Sequence, residues 1–360
     1  MSEFHTLKIK EVRAEANQTL HVTLDVPASL QQTFCFHQGQ YLTFAATLDG
    51  CEVRRSYSIC AAVGEPLSVA IKKIEGGAFS EHAHSSFAPG ATVKVMPPAG
   101  TFYTELDPAE QRKYLLIAAG SGITPIISIA KTILATEPDS QVTLLYGNRR
   151  SGDIIFRDQL CWIKNRHLTR FQWINIFSQE IQDAPILNGR INNQKGAELN
   201  QRLIDIVSFD EFFLCGPEGM ISEVARGLRA IGVDEEKIHY ELFFASAEDA
   251  QAAIARHQAR ARKYGGLTTQ VRVRSGGRET VFELTADGEN ILDSAMESGL
   301  DLPFSCKGGV CATCKAKLIK GQVDMDLNHA LSAEEVAQGF VLTCQAHPIS
   351  NQVVVDFDAT

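Results

Sequence analysis

The chain has 360 residues, 44% of them hydrophobic, with 34 Lys and Arg against 43 Asp and Glu. This composition excludes disorder and collagen, and the length allows two or three compact units, each with its own core. No apolar run is long enough to span a bilayer, so no membrane partner is expected.

The start, Met1-Ser-Glu-Phe-His-Thr-Leu-Lys-Ile-Lys10, reads as a strand and lacks the basic-then-apolar layout of a secretory signal, so the expected location is the cytoplasm. Leu20-His-Val-Thr-Leu-Asp-Val26 alternates apolar and polar side chains, and Leu67-Ser-Val-Ala-Ile71 and Thr92-Val-Lys-Val95 continue the short-strand pattern with Gly and Pro between. Residues 1–108 are therefore expected to form an antiparallel β-barrel. Within it, Arg54-Arg55-Ser56-Tyr57-Ser58-Ile-Cys60 reads as a strand with Arg55 and Tyr57 on one face, a pair able to bind a phosphate and stack on a ring. Further on, Ile71-Lys72-Lys73-Ile-Glu-Gly76-Gly77-Ala78-Phe79-Ser80 resembles a phosphate-binding turn, with glycines exposing backbone N–H groups and Ser80 at a helix start. Neither motif is specific alone, because basic residues on a strand are commonly just solvated.

From Tyr114 the texture changes to apolar strand, glycine turn, helix. Leu115-Leu-Ile-Ala-Ala119, Val142-Thr-Leu-Leu-Tyr146 and Phe212-Phe-Leu-Cys215 each end at a glycine, which predicts an α/β, doubly wound, mostly parallel sheet over 109–244. Gly120-Ser121-Gly122-Ile-Thr124-Pro125 opens a helix whose N–H groups can receive a pyrophosphate, although the full G-x-G-x-x-G fingerprint is absent and a purely structural glycine turn is the alternative. The second strand ends in Tyr146-Gly-Asn148-Arg149-Arg150, placing two guanidinium groups where a ribose 2′-phosphate could sit, unless both are simply solvated. Cys215-Gly216-Pro217-Glu-Gly-Met220 follows the third strand, and the domain closes on Glu241-Leu-Phe243-Phe244. Met220 reads most simply as core.

Residues 245–266 are expected to be an alanine-rich linker. The stretch 245–261 holds eight alanines and one large aliphatic, Ile254, so it has high helix propensity and no apolar face to bury. It reads as a tether, with His257 solvated. Residues 267–360 then begin with a hairpin, Val271-Arg-Val-Arg, Ser-Gly-Gly-Arg, Val281-Phe-Glu-Leu284, and a helix carrying Ile291, Leu292, Ala295 and Met296 on one side. This last domain has 7 basic and 13 acidic residues. That surface repels nucleic acid and suits a basic protein partner, or serves solubility.

Nine cysteines in a chain of this kind argue for thiols or metal ligands. Cys306-Lys-Gly-Gly-Val-Cys311-Ala-Thr-Cys314, with Cys344 well downstream, has the C-x4-C-x2-C…C spacing of a plant-type 2Fe-2S cluster. Gly308 and Gly309 would let the backbone wrap the cluster with positive φ and aim N–H groups at sulfur. Structural zinc is the alternative, but zinc sites usually show two short C-x2-C pairs and this sequence has one. Cys35, Cys51, Cys60 and Cys161 read as small buried hydrophobes.

A barrel with R-x-Y-S, a G-S-G-I-T-P domain closing on C-G-P-x-x-M and E-x-F, and a plant-type ferredoxin in that order resembles the ferredoxin-NADP reductase superfamily, in its oxygenase-reductase branch. The likeness covers essentially the whole chain. The run Cys306–Cys314, the Gln345 after Cys344 and the ending Val353-Val-Val-Asp-Phe-Asp-Ala359 look like the reductase components that serve phenylacetyl-CoA 1,2-epoxidases. The resemblance implies a multidomain fold with a β-grasp ferredoxin domain last. It implies that Arg55, the Gly76-Gly77 turn and Ser80 hold the FAD pyrophosphate, that Tyr57 stacks on the isoalloxazine, and that Ser58 reaches toward flavin N5. Thr124 and Cys215 would line the nicotinamide position, with Glu241 beside it and Phe243 near the flavin. More than a hundred residues follow Phe243, so it is no terminal lid and its stacking role is less well supported than that of Tyr57.

The expected enzyme is an NAD(P)H-dependent iron–sulfur flavoprotein oxidoreductase, taking hydride as an electron pair and passing single electrons through the cluster. NADPH is favoured over NADH on Arg149 and Arg150. The partner implied is an oxygenase component, a multi-subunit di-iron epoxidase of phenylacetate catabolism in the more specific resemblance. The alternatives are the reductase of another aromatic-ring dioxygenase or monooxygenase using NADH, and a nucleotide-sensing or zinc-stabilised interaction protein without turnover.

Overall fold

The computed structural model describes residues 4–48, 50–242 and 247–359. The chain divides into two compact units, one over Phe4–Glu241 and one from Leu242 onward.

The first unit opens with β1 (His5–Glu15), β2 (Thr19–Asp25), β3 (Tyr41–Leu48), β4 (Cys51–Ser58), β5 (Ser68–Lys72), helix α1 (Ala78–Ser86) and β6 (Thr92–Val95). The strands form one antiparallel sheet in the order β4-β3-β6-β1-β2-β5. The bridge Ile59↔Val69 and the bond from Cys60 N–H to Ser68 O (2.9 Å) join the sheet's two edges, closing it into the expected barrel. Alternation sets the core: Leu7, Ile9, Val22, Leu24, Leu42, Phe44, Val69, Ile71, Val93 and Val95 point inward with α1's Phe79 and Ala83.

The same unit continues with β7 (Lys113–Ala119), α2 (Ile123–Thr136), β8 (Gln141–Asn148), α3 (Arg157–Arg166), β9 (Phe171–Phe177), α4 (Asn193–Arg202), β10 (Glu211–Cys215), α5 (Glu218–Ala230) and β11 (Ile238–Glu241). All pairings are parallel, in the order β11-β10-β7-β8-β9. Residues 114–118 of β7 are buried without interruption, because a central parallel strand is covered on both faces. The sheet grows one way through β8 and β9 and then the other through β10 and β11, so its switch point falls between β7 and β10.

The second unit starts with α6 (Ala247–Tyr264), then β12 (Thr268–Ser275), β13 (Arg278–Thr285), α7 (Ile291–Glu297), β14 (Lys315–Lys320), β15 (Val323–Met325), α8 (Ala333–Ala337), β16 (Phe340–Leu342), β17 (Ala346–Pro348) and β18 (Gln352–Asp356). The mixed sheet runs β13-β12-β18-β14-β16, and β15 and β17 make a separate ribbon. Val271, Val273, Ile291, Leu292, Ala295, Val353 and Val355 form the core.

Three expectations need correction. The stretch read as a free tether is helix α6, and its Arg260 is buried at 2% exposure among acceptors of the cluster domain, so the C-terminal part of the helix docks through a cation. His257 is half-buried beside Arg260 and not freely solvated (Nη2 to Nδ1, 3.4 Å). Of the cysteines read as small buried hydrophobes, Cys60 is buried, Cys35 and Cys161 are exposed, and the side chain of Cys51 lies outside those described. The exposed thiol of Cys35 donates to Gln31 O at 3.3 Å, which satisfies it without burial.

Candidate functional site

On β4 the register pairs Phe44 with Arg55 and Leu42 with Tyr57, so Arg55 and Tyr57 share a face. The Tyr57 ring meets Phe44 edge-on (centroids 5.9 Å) and lies tilted against Phe79 (5.8 Å), leaving it half-buried. Burial pushes its phenol above the ordinary range, against the pull of Arg55. Arg55 is exposed and donates to its neighbour's carbonyl, Arg54 O, at 2.7 Å; Arg54 is the buried cation, ion-paired to Glu52 at 2.7 Å. Ser56 shares a hydroxyl–hydroxyl bond of 3.0 Å with Thr43.

The turn before α1 is closed by Ser80, whose Oγ accepts from Ile74 N–H (3.1 Å) and donates to Gly77 O (3.0 Å). The hydroxyl expected at a phosphate is thus occupied in shaping the loop. Gly76 takes a left-handed φ of 71°, and no side chain caps α1 at Gly77, so the helix presents its first N–H groups beside exposed Ala78. Ile71 is buried and Lys72 half-buried on the adjoining strand. Burial holds the Lys72 ammonium below its ordinary pKa; the Arg149 guanidinium adds to this and Asp153 opposes it.

Across the switch point, Gly120–Gly122 makes a single tight turn before α2, with Gly120 at φ 54°. A Cβ on Gly122 would lie 2.1 Å from Cys215 O, and one on Gly216 would lie 2.7 Å from Met220 Cε and 3.1 Å from Ala119 Cβ. Only bare backbone lets the two loops approach this closely. Thr124 is buried and donates to Ser121 O (3.0 Å), Pro125 occupies the first turn of α2 where no N–H is needed, and no side chain caps the helix. Tyr146 donates to Gly120 O at 2.9 Å. Asn148, at the end of β8, is buried with its Nδ2 unpartnered, and Arg149 and Arg150 follow it exposed. Pro217 is exposed and Met220 is 8% exposed, packed in the core as expected.

The two domains of this unit meet at Ser58, whose hydroxyl donates to Glu241 Oε2 at 3.2 Å across 183 residues of sequence. Burial raises the Glu241 carboxyl to about 8, partly offset by that hydrogen bond. Cys215 pairs with Glu241 across β10 and β11, and its thiol is pushed up by burial and by the Glu241 charge. Ser58, Cys215 and Glu241 thus converge with the Gly122 turn, while Phe243 lies outside the described residues. The bond between Ser58 and Glu241 was not legible in the sequence, where each belonged to a different motif. The unpartnered amide of Asn148, the glycine cradle and the uncapped starts of α1 and α2 fit nucleotide ligands that bring phosphates and hydrogen-bond acceptors.

In the second unit the four cysteines lie on the loop before β14 and the turn between β16 and β17. The thiols form two pairs, Cys306 with Cys311 and Cys314 with Cys344. Hydrogen bonds favour the thiolate at one member of each: the Cys311 thiol draws Cys306 down to about 6 despite burial, and Cys314 lowers Cys344. Among the described residues no three metal-ligating side chains converge on a single point. The C-x4-C-x2-C…C spacing, with backbone N–H groups directed at sulfur, suits a 2Fe-2S cluster. Left-handed turns fall at Lys307 (φ 51°), Gly309 (φ 76°) and Ala312 (φ 52°), two of them at residues that glycine-spotting passes over. Gly308 N–H donates to Cys306 Sγ (3.3 Å), Cys306 N–H to Cys311 Sγ (3.5 Å) and Gln345 Nε2 to Cys344 Sγ (3.7 Å). Cys314 and Cys344 are buried, Cys306 and Cys311 half-buried.

This architecture defines an iron–sulfur flavoprotein reductase. Family models match in the same order: oxidoreductase FAD-binding domain over 6–103, oxidoreductase NAD-binding domain over 116–226, and 2Fe-2S iron-sulfur cluster binding domain over 274–348. The chain belongs to the family of oxygenase reductase components that carry these three domains. It is 44% identical, over 100% of its length and 99% of the relative's, to one of the subunits of the 1,2-phenylacetyl-CoA epoxidase of Escherichia coli (strain K12). It is 27% identical to the ferredoxin reductase component of 3-ketosteroid-9-alpha-monooxygenase from Rhodococcus rhodochrous, covering 98% of this chain and 96% of that one. Among solved structures, phthalate dioxygenase reductase shares the fold with a TM-score of 0.57 at 23% identity, covering 98% of both chains.

Proposed function

We propose that this reductase takes electrons from NADPH and delivers them to a multi-subunit di-iron oxygenase that epoxidises phenylacetyl-CoA, in the cytoplasm. The observation that carries the partner is the 44% identity, end to end, to one component of a phenylacetyl-CoA epoxidase. When bound, the nicotinamide supplies a hydride, the flavin divides the electron pair, and the cluster carries single electrons onward.

The chain's own groups bind and orient. Arg55 and the first N–H groups of α1 hold the flavin pyrophosphate, with Ser80 shaping the turn, and Tyr57 offers its ring to the isoalloxazine. Ser58 and Glu241 fix the end of β4 against β11, between the stretches that would receive the flavin and the nicotinamide. At about 8, Glu241 is largely protonated near neutral pH, so it adds little negative charge at the junction of the two domains. The Gly122 and Gly216 turns, Thr124, Cys215 and Asn148 shape the nicotinamide nucleotide site. Arg149, with Lys72 close enough to feel its charge, offers cations to the 2′-phosphate, and Arg150 adds a third. Cys306, Cys311, Cys314 and Cys344 would hold the 2Fe-2S cluster.

Single-turnover electron delivery tests the partner. The purified reductase should reduce a phenylacetyl-CoA epoxidase oxygenase and sustain product formation, and should do so poorly with the oxygenase of a ketosteroid monooxygenase. Preference for the latter would overturn the assignment of the partner while leaving the reductase chemistry in place.

A further inference from the structure

Helix α6 carries a guanidinium into a place where guanidinium groups are rarely found. The Arg260 side chain is 1% exposed, and burying a cation this deeply is tolerated only when its donors and charge are met. Nε donates to Ala286 O at 2.9 Å, Nη1 to Asp324 Oδ2 at 3.0 Å and to Asp326 Oδ1 at 2.7 Å, and Nη2 faces His257 Nδ1 at 3.4 Å. The other oxygen of Asp326 meets His347 Nε2 at 3.1 Å. Asp324 pairs with His347 and Met325 with Ala346 in the ribbon β15–β17, so one arginine grips the ribbon at Asp324 and, one residue past its end, at Asp326.

The ribbon leads directly to the cluster. Asp326 N–H donates to Gln345 O at 3.0 Å, anchoring the backbone next to Cys344. The Gln345 side-chain amide then donates to Cys344 O and to Lys307 O, each at 2.9 Å, and reaches Cys344 Sγ at 3.7 Å. It therefore ties the loop beside Cys306 to the turn bearing Cys344. The chain of contacts Arg260–Asp326–Gln345–Cys344 is continuous, and each link is a hydrogen bond or a peptide neighbour.

We propose that Arg260 is a positioning residue for the iron–sulfur cluster: from helix α6 it clamps the β15–β17 ribbon, and through Asp326 and Gln345 it sets the placement of the Cys344 ligand and the N–H directed at its sulfur. Helix α6 is then a working part of the cluster domain. The inference rests on the four cysteines holding a 2Fe-2S cluster, which iron and acid-labile sulfide analysis of the wild type checks separately.

The test uses the full chain with Arg260→Leu, Arg260→Lys, Gln345→Leu and the double variant Arg260→Leu/Gln345→Leu. Replacing partners that orient metal ligands typically costs 10- to 100-fold in metal retention or activity. Iron loss to a chelator should therefore be about 10-fold faster or more in Arg260→Leu, with a shifted midpoint potential and altered electron paramagnetic resonance g values. Arg260→Lys, keeping the charge but losing the fork, should recover part of both. Reduction of the flavin by NAD(P)H should match wild type. If Arg260 acts through Gln345, the double variant should be no worse than the worse single one. A wild-type potential and spectrum in Arg260→Leu, or strictly additive effects in the double variant, would overturn the proposal even if thermal stability falls. Should Arg260→Leu fail to fold, Asp326→Asn takes its place, with the same shifts expected and an unchanged spectrum counting against the idea.

Discussion

The cluster loop and the nucleotide site solve the same problem, holding a cofactor still, from opposite starting points. Three of the four cysteines proposed as cluster ligands lie within Cys306–Cys314, and the loop is shaped by its own left-handed turns and N–H···S bonds. The nucleotide site is assembled from segments far apart, with Ser58 meeting Glu241 over 183 residues and Gly122 set against the Cys215 carbonyl. A local site survives or fails as a unit, whereas an assembled one can be dismantled a contact at a time.

The largest expected effect follows from the first half of that contrast. Cys311→Ser removes one sulfur of a pair, so the cluster should be lost, with iron content near zero and acceptor reduction abolished. FAD reduction by NAD(P)H should persist because that site belongs to the other compact unit. A folded Cys311→Ser protein that no longer reduces its flavin would break the comparison. On the assembled side, Gly122→Ala puts a Cβ where the Cys215 carbonyl already stands, at 2.1 Å. Backbone must move, at a cost of about 1–3 kcal/mol in stability. A displacement of about 1 Å at a reacting site can cost about 100-fold in rate. Flavin reduction should therefore fall by roughly that factor while the cluster spectrum stays intact, as stopped-flow absorbance would record.

The same contrast explains what the sequence revealed. Cysteine spacing is local, so the 2Fe-2S domain was legible from one line of text, and the four cysteines proposed as its ligands could be picked out there. Strand alternation in the barrel and the uninterrupted apolar run of β7 exposed the fold class for the same reason. The Gly76–Ser80 and Gly120–Pro125 turns were visible as motifs, yet Ser80's engagement with Ile74 and Gly77 was not, because a hydroxyl's partner depends on how the turn closes. Arg260 escaped because an alanine-rich helix without an apolar stripe looks solvated, and nothing local signals that two aspartates far downstream will surround its guanidinium.

Coenzyme choice tests the assembled site at its rim. Charge-assisted contacts from a guanidinium contribute about 1.5–3 kcal/mol, roughly a tenfold to hundredfold preference for a 2′-phosphate if one is fully made. Arg149→Ala/Arg150→Ala should lower kcat/KM for NADPH by that factor and leave NADH nearly unchanged. Equal use of both coenzymes by wild type, or equal losses in the variant, would show that these exposed arginines point to solvent.

The last prediction concerns Glu241, where assembly of the site alters a proton equilibrium. Its carboxyl rises from the usual 4.5 to about 8, chiefly through burial. Between those values the folded protein holds a proton that the unfolded chain has released, so the native state binds more protons and stability falls as pH rises through the window. The contribution is complete below about 4.5 and lost as pH passes about 8. Glu241→Gln keeps an oxygen for the Ser58 hydroxyl and cannot ionise, so its unfolding midpoint should change less between about pH 5 and pH 8 than that of wild type. Flavin reduction by NAD(P)H should show the same flattening near pH 8, because the charge that appears at Glu241 in wild type is absent from the variant. Parallel pH profiles for the two proteins would mean that Glu241 is already ionised in the folded enzyme, and that the Ser58 hydrogen bond outweighs burial at the junction of the two domains.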